Sequence, residues 1–166
     1  MNPELFDIET LKMVGLWPNP EQPARNLLPY IKRLRSETFI GLDYGMAKGE
    51  DIRMLLDECE KIEKIITIFD SKSEYIEAAK KNLDGQAKVE VVTEFPSDHK
   101  FDFIFFNSEN EVEKNLKLCY DTLKSGGIFA GNMHGKLRNT LTDFRNNNKI
   151  RIPINIAHDT WFWTKQ

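Results

Sequence analysis

Asp43, Gly45, Gly49 and Asp70 follow one another in an order that would let a glycine turn and two carboxylates grip one ligand. The loop Asp43-Tyr44-Gly45-Met46-Ala47-Lys48-Gly49 closes a short apolar run. Glycine admits backbone shapes that a Cβ forbids and lets a ligand lie close to the main chain. A helix starting after the loop would aim its first N–H groups at that ligand. Asp70 closes the next apolar run about twenty residues on, where a carboxylate can accept hydrogen bonds from both hydroxyls of a ribose. No Gly-Lys-Ser/Thr follows, so the loop is not a P-loop. Gly45 and Gly49 also lack the third glycine of the dinucleotide fingerprint, and a pyrophosphate would be poorly cradled. The loop suits a ligand with a ribose and no phosphate. The plainer alternative is an ordinary strand-to-helix turn, with Asp70 a charge near a helix N-terminus and Ser71 its cap.

His134, in Gly131-Asn132-Met133-His134-Gly135, is the histidine expected on a ligand-side loop. Its ordinary pKa lies near working pH, so it could take a proton from a hydroxyl acceptor; the alternative is a solvated loop histidine. His99 precedes a strand and is read as surface, and His158 has no evident partner. Lys136, Arg138, Arg145, Lys149 and Arg151 read as a solvated helix face, with an acidic substrate or RNA contact as the alternative. Trp17, Trp161 and Trp163 read as core, given their apolar surroundings, with a substrate platform as the alternative.

These residues need a frame that sets them side by side. Phe39 to Asp43, Ile65 to Phe69, Val89 to Thr93, Phe101 to Phe106 and Ile128 to Ala130 are short apolar runs of strand length. The fourth is apolar apart from Asp102, as a strand buried on both faces should be. Between them lie helical stripes. Ile52, Leu55, Leu56, Cys59 and Ile62 form one. Ser71 with Glu74 makes a capping box for a helix to about Leu83. Val112, Leu116, Cys119, Tyr120 and Leu123 form another, expected to stop at Ser125-Gly126-Gly127. Leu137, Leu141 and Phe144 mark a last helix ending in Asn146-Asn147-Asn148. Ala24 to Leu34 is helical with Pro29 inside it, whereas the prolines of Met1 to Pro23 predict irregular structure. In the tail, Ile150, Ile152, Ile154 and Ile156 alternate before Trp161-Phe162-Trp163. That predicts a hairpin, with Pro153 placing its first strand at a sheet edge. Strand and helix alternating about five times predict an α/β domain, a Rossmann-like doubly wound sheet that is mostly parallel and ends in a C-terminal antiparallel hairpin.

The chain's 166 residues suit one domain: residues 1–37 as an N-terminal cap segment and 38–166 as the Rossmann-like core. A hydrophobic share of 40% with 30% charged residues argues against disorder. A net charge of -3 argues against a broad nucleic-acid or anionic-membrane surface. Cys59 and Cys119 sit at helical spacing among apolar residues and read as core. Residues 1–10 lack a signal-peptide pattern and no stretch has the length of a membrane span, so the cytoplasm is the expected compartment.

The segment Ile40-Gly41-Leu42-Asp43-Tyr44-Gly45-Met46-Ala47-Lys48-Gly49 resembles the first motif of the class I S-adenosylmethionine-dependent methyltransferases, with Ala47 in place of the middle glycine. Ile66-Thr67-Ile68-Phe69-Asp70 resembles that family's second strand and its ribose-binding acid. Phe101 to Asn107 resembles the fourth strand, and Leu123-Lys124-Ser125-Gly126-Gly127-Ile128-Phe129-Ala130-Gly131 the entry to the fifth. The order and spacing hold from Thr38 to Gln166, and the expected hairpin matches the family's reversed last strand.

The resemblance implies S-adenosylmethionine as cofactor and a small or medium acceptor, expected at oxygen. Gly45 and Gly49 would cradle the methionine moiety and Asp43 would lie near its amino group. Asp70 would bind the ribose, Glu94 the adenine amine, and Asn107 would line the pocket beside the sulfonium. Related O-methyltransferases hold a divalent metal on carboxylates after strands four and five; this chain has Asn107, Asn132 and Met133 there, poor ligands for magnesium. A metal-independent reaction is therefore expected. The Asn/Asp-Pro-Pro-aromatic motif of amino-group DNA methyltransferases is absent, since Asn107-Ser108-Glu109-Asn110 stands in its place. Two other classes stay open: a module that binds S-adenosylmethionine or a nucleoside without chemistry, and a nucleotide-binding subunit of a larger assembly.

Overall fold

Runs of apolar residues too short for helices need cover on both faces, and the fold supplies it with helices on either side of one sheet. The computed structural model describes residues 23–45, 50–68, 81, 83–108, 111–132, 135–157 and 160–166. In chain order the elements are α1 (Pro23–Ile31), β1 (Phe39–Tyr44), α2 (Glu50–Glu58), β2 (Ile62–Ile68), β3 (Val89–Val92), β4 (Phe101–Phe106), α3 (Val112–Thr122), β5 (Leu123–Asn132), α4 (Gly135–Asn147), β6 (Asn155–Ala157) and β7 (Thr160–Thr164). Among the described residues the strands form one sheet in the order β3-β2-β1-β4-β5-β7-β6. The pairs from β3 through β5 are parallel, and β7 runs antiparallel to both β5 and β6.

Alternate residues of each strand enter one of two cores. On one face Leu27 and Ile31 of α1 and Ile52 and Leu55 of α2 pack on Phe103, Phe105, Ile128 and Ala130. On the other, Leu116 and Cys119 of α3 and Leu141 and Phe144 of α4 pack on Leu42, Ile104, Phe106 and Phe129. Every residue of β4 is buried, as its composition predicts for a central strand. Each large side chain so covered contributes about 1.5–3 kcal/mol. Trp161 and Trp163 are fully buried beside Phe129, whose ring meets theirs edge-on at 5.4 and 5.1 Å. Cys59 and Cys119 are buried and unbridged.

Several elements depart from the sequence reading. Ile62 continues the helical stripe in spacing, yet α2 ends at Glu58 and Ile62 opens β2; it reaches the same core from a strand instead. Ser125-Gly126-Gly127 does not stop the third helix. That helix ends at Thr122 with Leu123 already extended, and the glycines lie inside β5. There the register steps from Phe101↔Leu123 to Phe103↔Ile128, so β5 carries a bulge. Gly126 takes φ +84° within it, a shape suited to glycine. Its N–H bonds Lys165 O at 2.6 Å, and the Lys165 N–H bonds Gly127 O at 2.9 Å.

In the tail, β6 spans three residues rather than the whole Ile150–Ile156 alternation, and Pro153 precedes it. Ile150 is buried while Ile156 is 61% exposed, so the alternation does not separate an inner face from an outer one. β6 nevertheless lies at one edge of the sheet. Arg145 is not on a solvated face: its guanidinium lies 4.5 Å from the Trp163 ring centroid and donates to Ile152 O. No helix joins β3 to β4; residues 93–100 cross as a strap, with Phe95 packed against the second core. The capping box at Ser71 and Glu74, and Trp17, lie outside the described residues. No helix among the described residues is long and apolar enough to cross a membrane.

Candidate functional site

The strand order reverses between β1 and β4: the chain winds outward from β1 through β2 to β3, then returns to β4 on the other side. In an open α/β sheet, ligands bind at the carboxyl ends of the strands beside such a reversal. Asp43 stands there, next to last in β1, paired in register with Thr67 of β2 and Phe105 of β4. Its side chain is 1% exposed. Thr67 Oγ1 donates to Asp43 Oδ2 at 2.8 Å, whereas Oδ1 is buried without a hydrogen-bond partner. Burial pushes the Asp43 carboxyl up to about 7, partly offset by the Thr67 bond.

Gly45 follows β1 with φ +89°, in the left-handed region. Its N–H donates to Ile68 O at 2.9 Å, and Asn107 N–H donates to Tyr44 O at 2.8 Å. The ends of β2, β1 and β4 are therefore tied together through this glycine. A Cβ at Gly45 would stand 2.5 Å from the Asn107 carbonyl oxygen, so no other residue fits without moving β4's end.

Asn107, half-buried, follows β4. Phe106 pairs with Gly131, so the next residues along, Asn107 and Asn132, end β4 and β5 side by side. Asn132 is buried and its backbone oxygen accepts from Trp161 Nε1 at 3.1 Å, but its side-chain Oδ1 has no partner. Sequence reasoning weighed Asn132 only as a poor metal ligand. Its signal, an amide ending a buried strand next to the reversal, was present. Buried acceptors of this kind are rare enough in folded proteins to call for an explanation.

Glu94 is exposed two residues past β3, whose Val92 pairs with Ile68, so it lies toward the same end of the sheet two strands from β1. Gly49, Asp70 and His134 lie outside the described residues, as does His158. The strands that lead to Asp70 and His134 are described: β2 ends at Ile68 beside Tyr44, and β5 ends at Asn132. The structure thus brings Asp43, Gly45 and Asn107 together, with Asn132 added. His99, half-buried against Asp98 at 2.9 Å, lies at the opposite end, before β4. Among the described residues no group of three or more His, Cys, Asp or Glu side chains could hold a metal.

The sheet order, the reversed β7 and the helices on both faces define the class I methyltransferase fold. No family model and no curated protein matches the sequence; solved structures do match. The precorrin-6y C5,15-methyltransferase of Geobacter metallireducens superposes with a TM-score of 0.64 at 15% identity, over 85% of this chain and 89% of that one. A Methanococcus maripaludis protein assigned as an S-adenosyl-L-methionine-dependent methyltransferase gives 0.67 at 14% identity, over 95% and 90%. A Staphylococcus aureus protein assigned as a caffeoyl-CoA O-methyltransferase gives 0.64 at 16% identity, over 97% and 93%.

Proposed function

We propose that this chain is an S-adenosylmethionine-dependent methyltransferase acting in the cytoplasm on a small or medium acceptor, at oxygen and without a metal. The observation that carries the reading is Asp43: a buried carboxylate, one oxygen lacking a partner, beside a glycine turn where the strand order reverses. The chemistry fits the cofactor, whose ammonium and sulfonium are cationic and whose ammonium can donate to that oxygen. In this reading Gly45 and Gly49 hold the methionine moiety, with Asp43 near its amino group. Asp70 accepts from the ribose hydroxyls and Glu94 from the adenine amine. Asn107 lines the acceptor side.

The bound cofactor supplies a methyl carbon open to in-line displacement. The protein's contribution is then chiefly position, which alone can lower a barrier by about 7–11 kcal/mol when geometry is right. His134 takes the acceptor's proton where the acceptor is a hydroxyl. A second reading, a cofactor-binding module without chemistry, draws on the amides Asn107 and Asn132 that end the two strands nearest the acceptor.

Calorimetry with S-adenosylmethionine is expected to show saturable binding, and a release assay for the demethylated cofactor over an acceptor panel to show turnover. His134→Ala should cut turnover with affinity nearly intact, whereas Asp70→Ala should weaken the cofactor itself. Binding without turnover would favour the module. No saturable heat would sink both readings.

A further inference from the structure

Toward the amino ends of β4 and β5, on the sheet face that α1 covers, lies a cavity of about 690 Å³. Its walls come from the end of α1 and the residues after it, the start of β4, the bulge of β5 and the second half of β7. Tyr30, Leu34, Ile128 and Phe162 give it an apolar side, where the Tyr30 and Phe162 rings lie 4.7 Å apart. Arg33, Arg35 and Lys124 line the same space. One acid, Asp102, faces these cations, and its carboxylate is already engaged. Ser36 Oγ donates to Oδ1 and Ile40 N–H to Oδ2, each at 2.8 Å, and Lys124 Nζ lies 3.3 Å from both. Asp102 offsets Lys124. Among the described residues no carboxylate pairs with Arg33 or Arg35, so the cavity keeps an excess of positive charge in a chain of net charge -3.

We propose that this cavity is a binding site for a small organic anion: a carboxylate, sulfonate or phosphate on a flat apolar body. The body would lie against Tyr30 and Phe162 while Arg33 and Arg35 meet the anionic group. Guanidinium forks suit such oxyanions, and the volume falls within the range of about 300–1,000 Å³ usual for small-molecule sites. The bulge is what shapes the wall, since it displaces Lys124, Ser125 and Gly126 from β4's pairing. This site shares no residue with the reversal site, and the inference does not rest on methyl transfer.

The test is a calorimetric titration of the full chain with 2-naphthoate, beside its neutral counterpart 2-naphthamide. One saturable site is expected, with the anion favoured by about tenfold or more. The double variant Arg33→Gln/Arg35→Gln should lose that preference at an unchanged melting temperature, because both residues are exposed. Ser125→Trp, placed on the exposed bulge, should fill the space and abolish binding of both probes. Saturating S-adenosylhomocysteine should leave naphthoate affinity unchanged. The proposal is overturned by absent saturation, by equal affinity for the two probes, by a double variant that keeps the preference, or by competition from S-adenosylhomocysteine.

Discussion

Asp43 shows how one residue sets stability and ligand binding against each other. The folded protein holds its proton up to about pH 7, against 3.8 for the free group. Burial is the main cause, and Thr67 opposes it. Between those values the native state binds more protons than the unfolded chain, so stability falls as pH rises through the window. A shift of about three units corresponds to at most about 4 kcal/mol, and water entering beside the ionised group would relax part of it. Asp43→Asn removes the charge and keeps the shape. The variant should match the wild type at pH 4 and melt at a higher temperature at pH 8. The cofactor should behave oppositely if its cation draws on the ionised form. Wild-type affinity then rises from pH 6 to 7.5, while that of Asp43→Asn stays weak and flat. Parallel melting curves for the two proteins at both pH values would contradict this account of the carboxyl.

At the scale of elements, the strap from Thr93 to Lys100 is what carries the chain from one half of the sheet to the other. Val92 is level with Ile68, Tyr44 and Phe106 in register, and Phe101 begins β4 five residues lower. Three strand spacings and that drop make a diagonal of about 22 Å. Nine Cα steps reach about 30 Å when extended. Little slack remains for a helix, and Phe95 is the strap's apolar anchor, its ring 6.3 Å from Tyr44. Phe95→Ala should therefore cost about 1–2 kcal/mol, less than a fully buried phenylalanine. The check is the urea midpoint, and an unchanged midpoint would mean the strap is held by something else. β1 and β4 were legible because strands buried on both faces leave unbroken apolar runs. The strap was not, because a crossing without a helix leaves no periodicity. The Gly126-Gly127 pair misled because glycines mark helix ends and strand bulges alike, and the tail because alternation at an exposed edge has no inner face to report. At the site, Asp43, Gly45 and Asn107 could be read from their positions at or just past the end of a strand. Asp43's unmet oxygen could not, since it depends on what packs above it.

At the scale of the molecule, the two sites occupy opposite ends of one sheet. Asp43 and Asn107 stand at the carboxyl ends of the strands, whereas Asp102 and the bulge stand at the amino ends. Along β4, Asp102 lies three residues below the level of Asp43 and five below Asn107, about 10 and 17 Å, and the residues of β4 between are buried on both faces. Coupling across such a distance needs an element with two arrangements that both ligands bias. A central strand fully packed on both faces is a poor candidate, because close-packed interiors leave no room for a second arrangement. S-adenosylhomocysteine at a hundred times its dissociation constant should stabilise the fold by about 2.7 kcal/mol. For a chain of this size that raises the melting temperature by about 5–10 °C. Naphthoate at its own saturation adds a second increment, and the two should sum to within about 0.5 kcal/mol, as independent sites do. Thermal melts with each ligand alone and with both provide the measurement. A combined shift no larger than the greater single one would place both ligands in one pocket, and a shift well above the sum would reveal that the sheet transmits what its packing argues it cannot.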